Sequence, residues 1–226
     1  MKKQQLILVT LLFPLIGFSQ PKDTLFIQKD SIYGTSQSIY IAKNKSSQLY
    51  NRLLDLNFGE FDSESYLMSL SYLKEKNLIL NKSTPVISEV QWIPLVQYNK
   101  KLFVYYPCDF YSFYKISIND STFIDWTGEG PIANQICFQK KSNKKTYEFE
   151  LISICGPTRK LTIHMIDQKK GIAIFETIYS NNEHYFSLMI AASKINQVPL
   201  IVNQCDFQKQ GELDFEEPDF NKLLNH

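Results

Sequence analysis

Seven of the twelve residues from Phe103 to Tyr114 are aromatic: Phe103, Tyr105, Tyr106, Phe110, Tyr111, Phe113 and Tyr114. Large flat side chains suit a pleated, half-buried surface, so this density marks the expected centre of a β-sheet. Adjacent rings such as Tyr105 and Tyr106 must point to opposite faces of a strand, and one face alone cannot bury them all. Directly afterwards Tyr114, Ile116 and Ile118 share one parity, Asn119-Asp120-Ser121 supplies turn residues, and Thr122, Ile124 and Trp126 resume the alternation of a hairpin. Gly128-Glu129-Gly130-Pro131 is expected to break that ladder, because glycine admits positive φ and proline has no N–H to donate.

The same alternation recurs along the chain. Short strands are expected within 23–42, as two strands interrupted by Pro94 within Val86–Tyr98, and over Ile132–Gln139, Thr146–Ile154, Lys160–Ile166, Ile172–Tyr179, His184–Ala192 and Pro199–Gln204. The connectors are short and rich in Gly, Asn, Asp, Lys or Pro, as turns require. Pro94 confines its region to an edge or a bulge. The Lys140–Lys145 run reads as a solvated hairpin loop. Two regions depart from this period: in 46–77 Leu49, Tyr50, Leu53 and Leu54, then Tyr66, Leu67, Leu70 and Leu73, recur at helical spacing, and the acidic tail from Gln210 reads as a docked surface extension with a short last helix. Two short helices are therefore expected, near 46–57 with Gly59 as its stop and near 62–77 with Asp62 or Ser63 as its cap. With no helix placed for parallel crossovers, the expected fold is mainly β: an antiparallel meander, curled or barrel-like, with two short N-terminal α-helices.

Met1 to Gln20 carries Lys2 and Lys3, an apolar run from Leu6 to Phe18 and a small-residue Gly17-x-Ser19 site, the pattern of an export signal cleaved after residue 19. That apolar run contains Pro14 and falls short of the roughly 18 to 20 residues that a membrane span needs. The expected mature chain, 20–226, forms a single β-rich domain with no transmembrane segment, periplasmic or secreted. Losing Lys2 and Lys3 turns 24 basic against 23 acidic residues into 22 against 23, which argues against a nucleic-acid partner.

Four cysteines (Cys108, Cys137, Cys155 and Cys205) in an exported chain imply disulfide bonding, with three pairings open. No C-x-x-C, H-E-x-x-H, G-x-S-x-G, Walker-type or dinucleotide-binding pattern occurs, and neither a metal nor a cofactor is implied. His164 and His184 would need an acid between them to form a site, and sequence proximity supplies none. Among the acids, Asp109, Asp120 and Glu129 sit in turn-like contexts, whereas Asp125 shares the face of Phe123 and is the one expected to be partly desolvated.

The catalytic residues are unknown. The candidate binding residues are Tyr105, Tyr111, Tyr114 and Asp125, where rings with polar tips suit a protein or glycan of the cell envelope. The resulting expectation is an exported, non-catalytic binding or envelope-assembly module. The alternative is a hydrolase acting on an envelope polymer through paired carboxylates.

Overall fold

The structure is a computed structural model that describes residues 24–32, 35–42, 44–45, 47–109, 112–153, 158–205 and 211–225. The expected leader, Met1 to Ser19, lies outside these residues, as do Tyr111 and Cys155.

The chain is mainly β. Among the described residues, twelve strands form one continuous sheet: β1 (Thr24–Ile32), β2 (Thr35–Ala42), β3 (Gln91–Tyr98), β4 (Lys101–Tyr106), β5 (Lys115–Ile118), β6 (Thr122–Thr127), β7 (Gly130–Lys141), β8 (Thr146–Ile152), β9 (Arg159–Asp167), β10 (Ile172–Tyr179), β11 (His184–Ala191) and β12 (Leu200–Cys205). From β5 to β11 each strand pairs antiparallel with the next, and β3 closes the ring by pairing with both β11 and β5. The sheet thus closes into an eight-stranded antiparallel barrel. Its lumen is filled, not open: Trp92, Phe123, Phe149, Leu151, Ile163, Phe175 and Met189 are buried in one cluster, as expected for a barrel of about eight strands.

β3 makes closure possible. Gln91 and Trp92 pair with β5, whereas Leu95 to Tyr98 pair with β4. Pro94 stands where the strand changes neighbours and pairs only with Met189 of β11, so its missing N–H costs no ladder bond. Beyond that point β4, β12, β2 and β1 continue as a second, open sheet. The β4–β12 pair is parallel. Its two ends are tied by a Cys108–Cys205 disulfide across a sequence separation of 97, one of the bonds left open by the sequence. Cys137 is free and exposed.

The inner face of this second sheet packs on the outside of the barrel, joining Val104, Leu200 and Val202 to Ile174, Leu188 and Ile190. Helix α1 (Gln48–Leu53) closes one end of that layer with Tyr50 and Leu53, and α3 (Phe220–Leu224) packs at its margin. Helix α2 (Glu60–Glu75) crosses the outside of the barrel at β6 and β7.

The expected helix pair is not matched as drawn. Among the described residues only α2 exceeds six residues, and α1 stops at Leu53. Gly59 does not end the first helix but is the N-cap of the second, with Glu60 and Asp62 in the first turn, where acids favour the helix dipole. The expected apolar stripe is also corrected: Ser69 and Leu73 are the buried residues and Leu67 is 60 % exposed. Small serines let the helix lie close to the sheet, and Ala133 N–H donates to Ser69 Oγ at 3.0 Å. Gly130 (φ +103) sits at this closest approach. It does not break the ladder as expected: Thr127 pairs with Gly130 and Trp126 with Pro131, so Gly128-Glu129 is a two-residue hairpin turn.

The aromatic stretch divides in the same manner. Its first half is β4, and regular pairing stops at Pro107.

Candidate functional site

Tyr114 and Asp125 meet at one end of the barrel lumen. Asp125 pairs in register with Ile116 and follows Phe123 by two residues, so β6 aims its carboxylate inward. Arg159, which opens β9, enters from the opposite wall, and its Nη2 donates to Asp125 Oδ2 at 2.5 Å with both side chains 12 % exposed. Tyr114 donates to Asp125 Oδ1 at 3.0 Å, and Asn134 Nδ2 donates to Oδ2 at 2.9 Å. Burial pushes the Tyr114 phenol well above its usual range, and the neighbouring Asp125 carboxylate adds to the rise. Burial opposes the charge on Arg159, yet Asp125, Tyr114 and a hydrogen bond with Tyr179 outweigh it and raise its pKa. Arg159 also lies 5.4 Å from the centre of the Phe123 ring. Asp125 therefore sits in a closed polar network whose donors and cation are already in place. Two atoms of this network, Asn134 Oδ1 and Arg159 Nε, are buried without a hydrogen-bond partner.

Tyr105 belongs to a different network. Its hydroxyl bonds to the Glu212 carboxylate and accepts from Asn203 Nδ2 at 3.0 Å. Glu212 also accepts from Asp109 N–H at 2.8 Å, Gln37 bonds Asn203 Oδ1 at 2.8 Å, and Phe215 packs edge-on against the Tyr105 ring. Burial and the Glu212 hydrogen bond push the Tyr105 phenol far up. These contacts fasten the segment from 211 to 216 over the outer face of the second sheet, where Glu216 bridges to Gln97. Tyr105 and Tyr114 share only a small cavity of about 90 Å³, beside Lys115, whose pKa burial lowers.

The larger concavity, about 400 Å³, lies at the ends of β4 and β12. Tyr40, Arg52, Tyr106, Phe113 and Gln204 line it together with the Cys108–Cys205 disulfide. The Tyr106 and Phe113 rings meet edge to face at 5.4 Å, and Phe113 and Pro107 form walls of both cavities. Among the described residues, no Asp or Glu lines the larger cleft. Among the described residues, no carboxylate pairs with the Arg52 guanidinium. Tyr40 OH donates to Gln204 Oε1 at 3.4 Å, which leaves the Gln204 NH₂ group to donate elsewhere. Sequence reading did not reach Arg52, because a single arginine on a short helix carries no motif.

Sequence reading also did not supply the acid between the two histidines. Glu176 of β10 stands between β9 and β11, bonded to His164 Nε2 at 2.7 Å and to His184 Nε2 at 2.8 Å. The strand register makes both contacts diagonal, since His164 faces Ile174 and His184 faces Ile178. Even so, no three His, Cys, Asp or Glu side chains among the described residues are arranged to hold a metal ion.

No family model, no curated protein and no solved structure matches this chain, so its function has to be argued from this geometry.

Proposed function

We propose that this chain is an exported, non-catalytic binding module of the bacterial envelope, and that its ligand occupies the cleft between β2, α1 and the ends of β4 and β12. The observation that carries this reading is the lining of that cleft: aromatic walls and, among the described residues, a guanidinium with no carboxylate partner, an amide with an NH₂ group to donate, and no carboxylate. Concave sites with aromatic walls and a few polar groups are the usual form of a ligand pocket. A hydrolase working through two acids needs both at one substrate. The desolvated candidate, Asp125, is instead bonded to Arg159, Tyr114 and Asn134, which favours binding over hydrolysis.

Export is supported by the Lys2-Lys3 and Leu6–Phe18 pattern and by the disulfide, which persists in oxidising compartments. Among the described residues no helix is long and apolar enough to cross a membrane.

The test fills the cleft. Gln204 is exposed, so Gln204→Trp blocks the space without disturbing the core. Wild-type protein is expected to be retained by immobilised envelope polymers, and the variant to pass through with its melting temperature unchanged. Equal retention of both proteins would remove the cleft from the argument.

A further inference from the structure

Resting on that reading, we infer that the cleft recognises an acidic glycan, with a uronate carboxylate on Arg52 and sugar rings against the aromatic walls. Arg52 projects from α1 into a cleft whose described lining residues include no acid to neutralise it. Its planar fork matches a carboxylate in two parallel hydrogen bonds. Tyr40, Tyr106 and Phe113 supply flat apolar surface for the C–H faces of a pyranose, and the Gln204 amide supplies a donor for its hydroxyls.

At β2 the sheet itself disfavours an extended peptide. β2 pairs with β1 and β12, β12 with β2 and β4, and β4 with β12 and β3. Along the cleft β2 is therefore paired on both sides and offers no free ladder to a peptide backbone, whereas the β4–β12 pairing ends at Tyr106 and Val202. The disulfide joins the two strand ends that form the cleft wall, so that wall is preorganised.

Calorimetric titration of the full mature protein tests the inference with three probes: tetragalacturonic acid, its methyl ester, and a tetrapeptide with a free C-terminal carboxylate. The acid is expected to bind more tightly than the ester by on the order of tenfold or more, the usual worth of a charge-assisted hydrogen-bond pair. Arg52→Ala is expected to erase that preference with the melting temperature held, because Arg52 is exposed. Arg52→Lys is expected to recover part of it. Equal binding of acid and ester, an acid preference that survives Arg52→Ala, tighter binding of the peptide, or no binding of either glycan would each overturn the inference. The Gln204→Trp variant separates the two claims. If envelope retention still depends on the open cleft while the acid preference is missing, the ligand class is wrong and the binding site stands; if retention is indifferent to the filled cleft, the proposed function falls as well.

Discussion

The buried ion pair at the barrel end makes the sharpest test of how this fold is held. In Asp125→Leu the Arg159 guanidinium loses its anionic partner among the described residues at 12 % side-chain exposure, and Tyr114 OH loses its acceptor. Asn134 is affected less, because its amide still donates to Phe123 O at 2.9 Å and Ile132 O at 3.2 Å. Removing one partner of a buried pair costs about 3 to 5 kcal/mol, most of it from the charge left behind. Against a typical total of about 5 to 15 kcal/mol this approaches the unfolding threshold, and it corresponds to a melting shift on the order of 10 °C for a chain of this size. Arg159→Met leaves the opposite orphan, the Asp125 carboxylate, still bonded by Tyr114 and Asn134, and is expected to cost less. The double variant Asp125→Leu/Arg159→Met contains neither charge and is expected to cost clearly less than the two single costs added together. Urea unfolding followed by tryptophan fluorescence reads all three, since Trp92 and Trp126 are both buried, with the slope checked for constancy. A single-variant cost below about 1 kcal/mol, or strict additivity in the double variant, would show that the pair is not coupled and that Asp125 is free for another role.

Reducing the Cys108–Cys205 bond, or replacing both cysteines by serine, is expected to lower stability by about 2 to 5 kcal/mol, because the bond closes a long loop in the unfolded chain. Thiol titration of unfolded, unreduced protein should find two free groups or fewer, and four would contradict the bond. The Tyr105 and Tyr114 phenols have folded pKa values raised above the usual value of about 10. Their contribution is thus complete below about pH 10 and is lost as pH rises toward the folded values. Stability should decline above about pH 10, and a Tyr105→Phe/Tyr114→Phe variant with the same alkaline slope as wild type would refute the assignment. Gly130→Ala would place a Cβ 2.6 Å from Ser65 Oγ at φ +103, and the backbone penalty alone is about 1 to 2 kcal/mol. A melting temperature within experimental error of wild type would mean that α2 is not packed as described. Intact-mass analysis of protein exported from a bacterial host should place the new N-terminus at or within a residue or two of Gln20, and a retained Met1 to Ser19 would defeat the export proposal.

Alternation was enough to read most of the strands: Ile172–Tyr179 was expected and found, and Thr122–Trp126 fell within β6, whereas the two strands expected in Val86–Tyr98 are the single strand β3. Local period encodes which face each residue takes, and it placed Asp125 inward beside Phe123 before any partner was known. What the sequence left open were pairings between distant positions. Closure depends on β3 changing neighbours at Pro94, a proline whose local meaning was only that an edge or bulge lay there. Ser112 to Tyr114, at the end of the aromatic stretch, were over-read as strand, because ring density signals burial without saying what does the burying. Arg159 reaches Asp125 across a separation of 34 residues, and Glu176 joins two histidines only through the register of three strands. Cys108 meets Cys205, and Arg52 faces a cleft, only because the parallel β4–β12 pair brings the ends of remote segments together. Such contacts depend on the path of the whole chain, which short-range spacing does not carry, so strands and faces were legible in the sequence while the sites were decided by the tertiary structure.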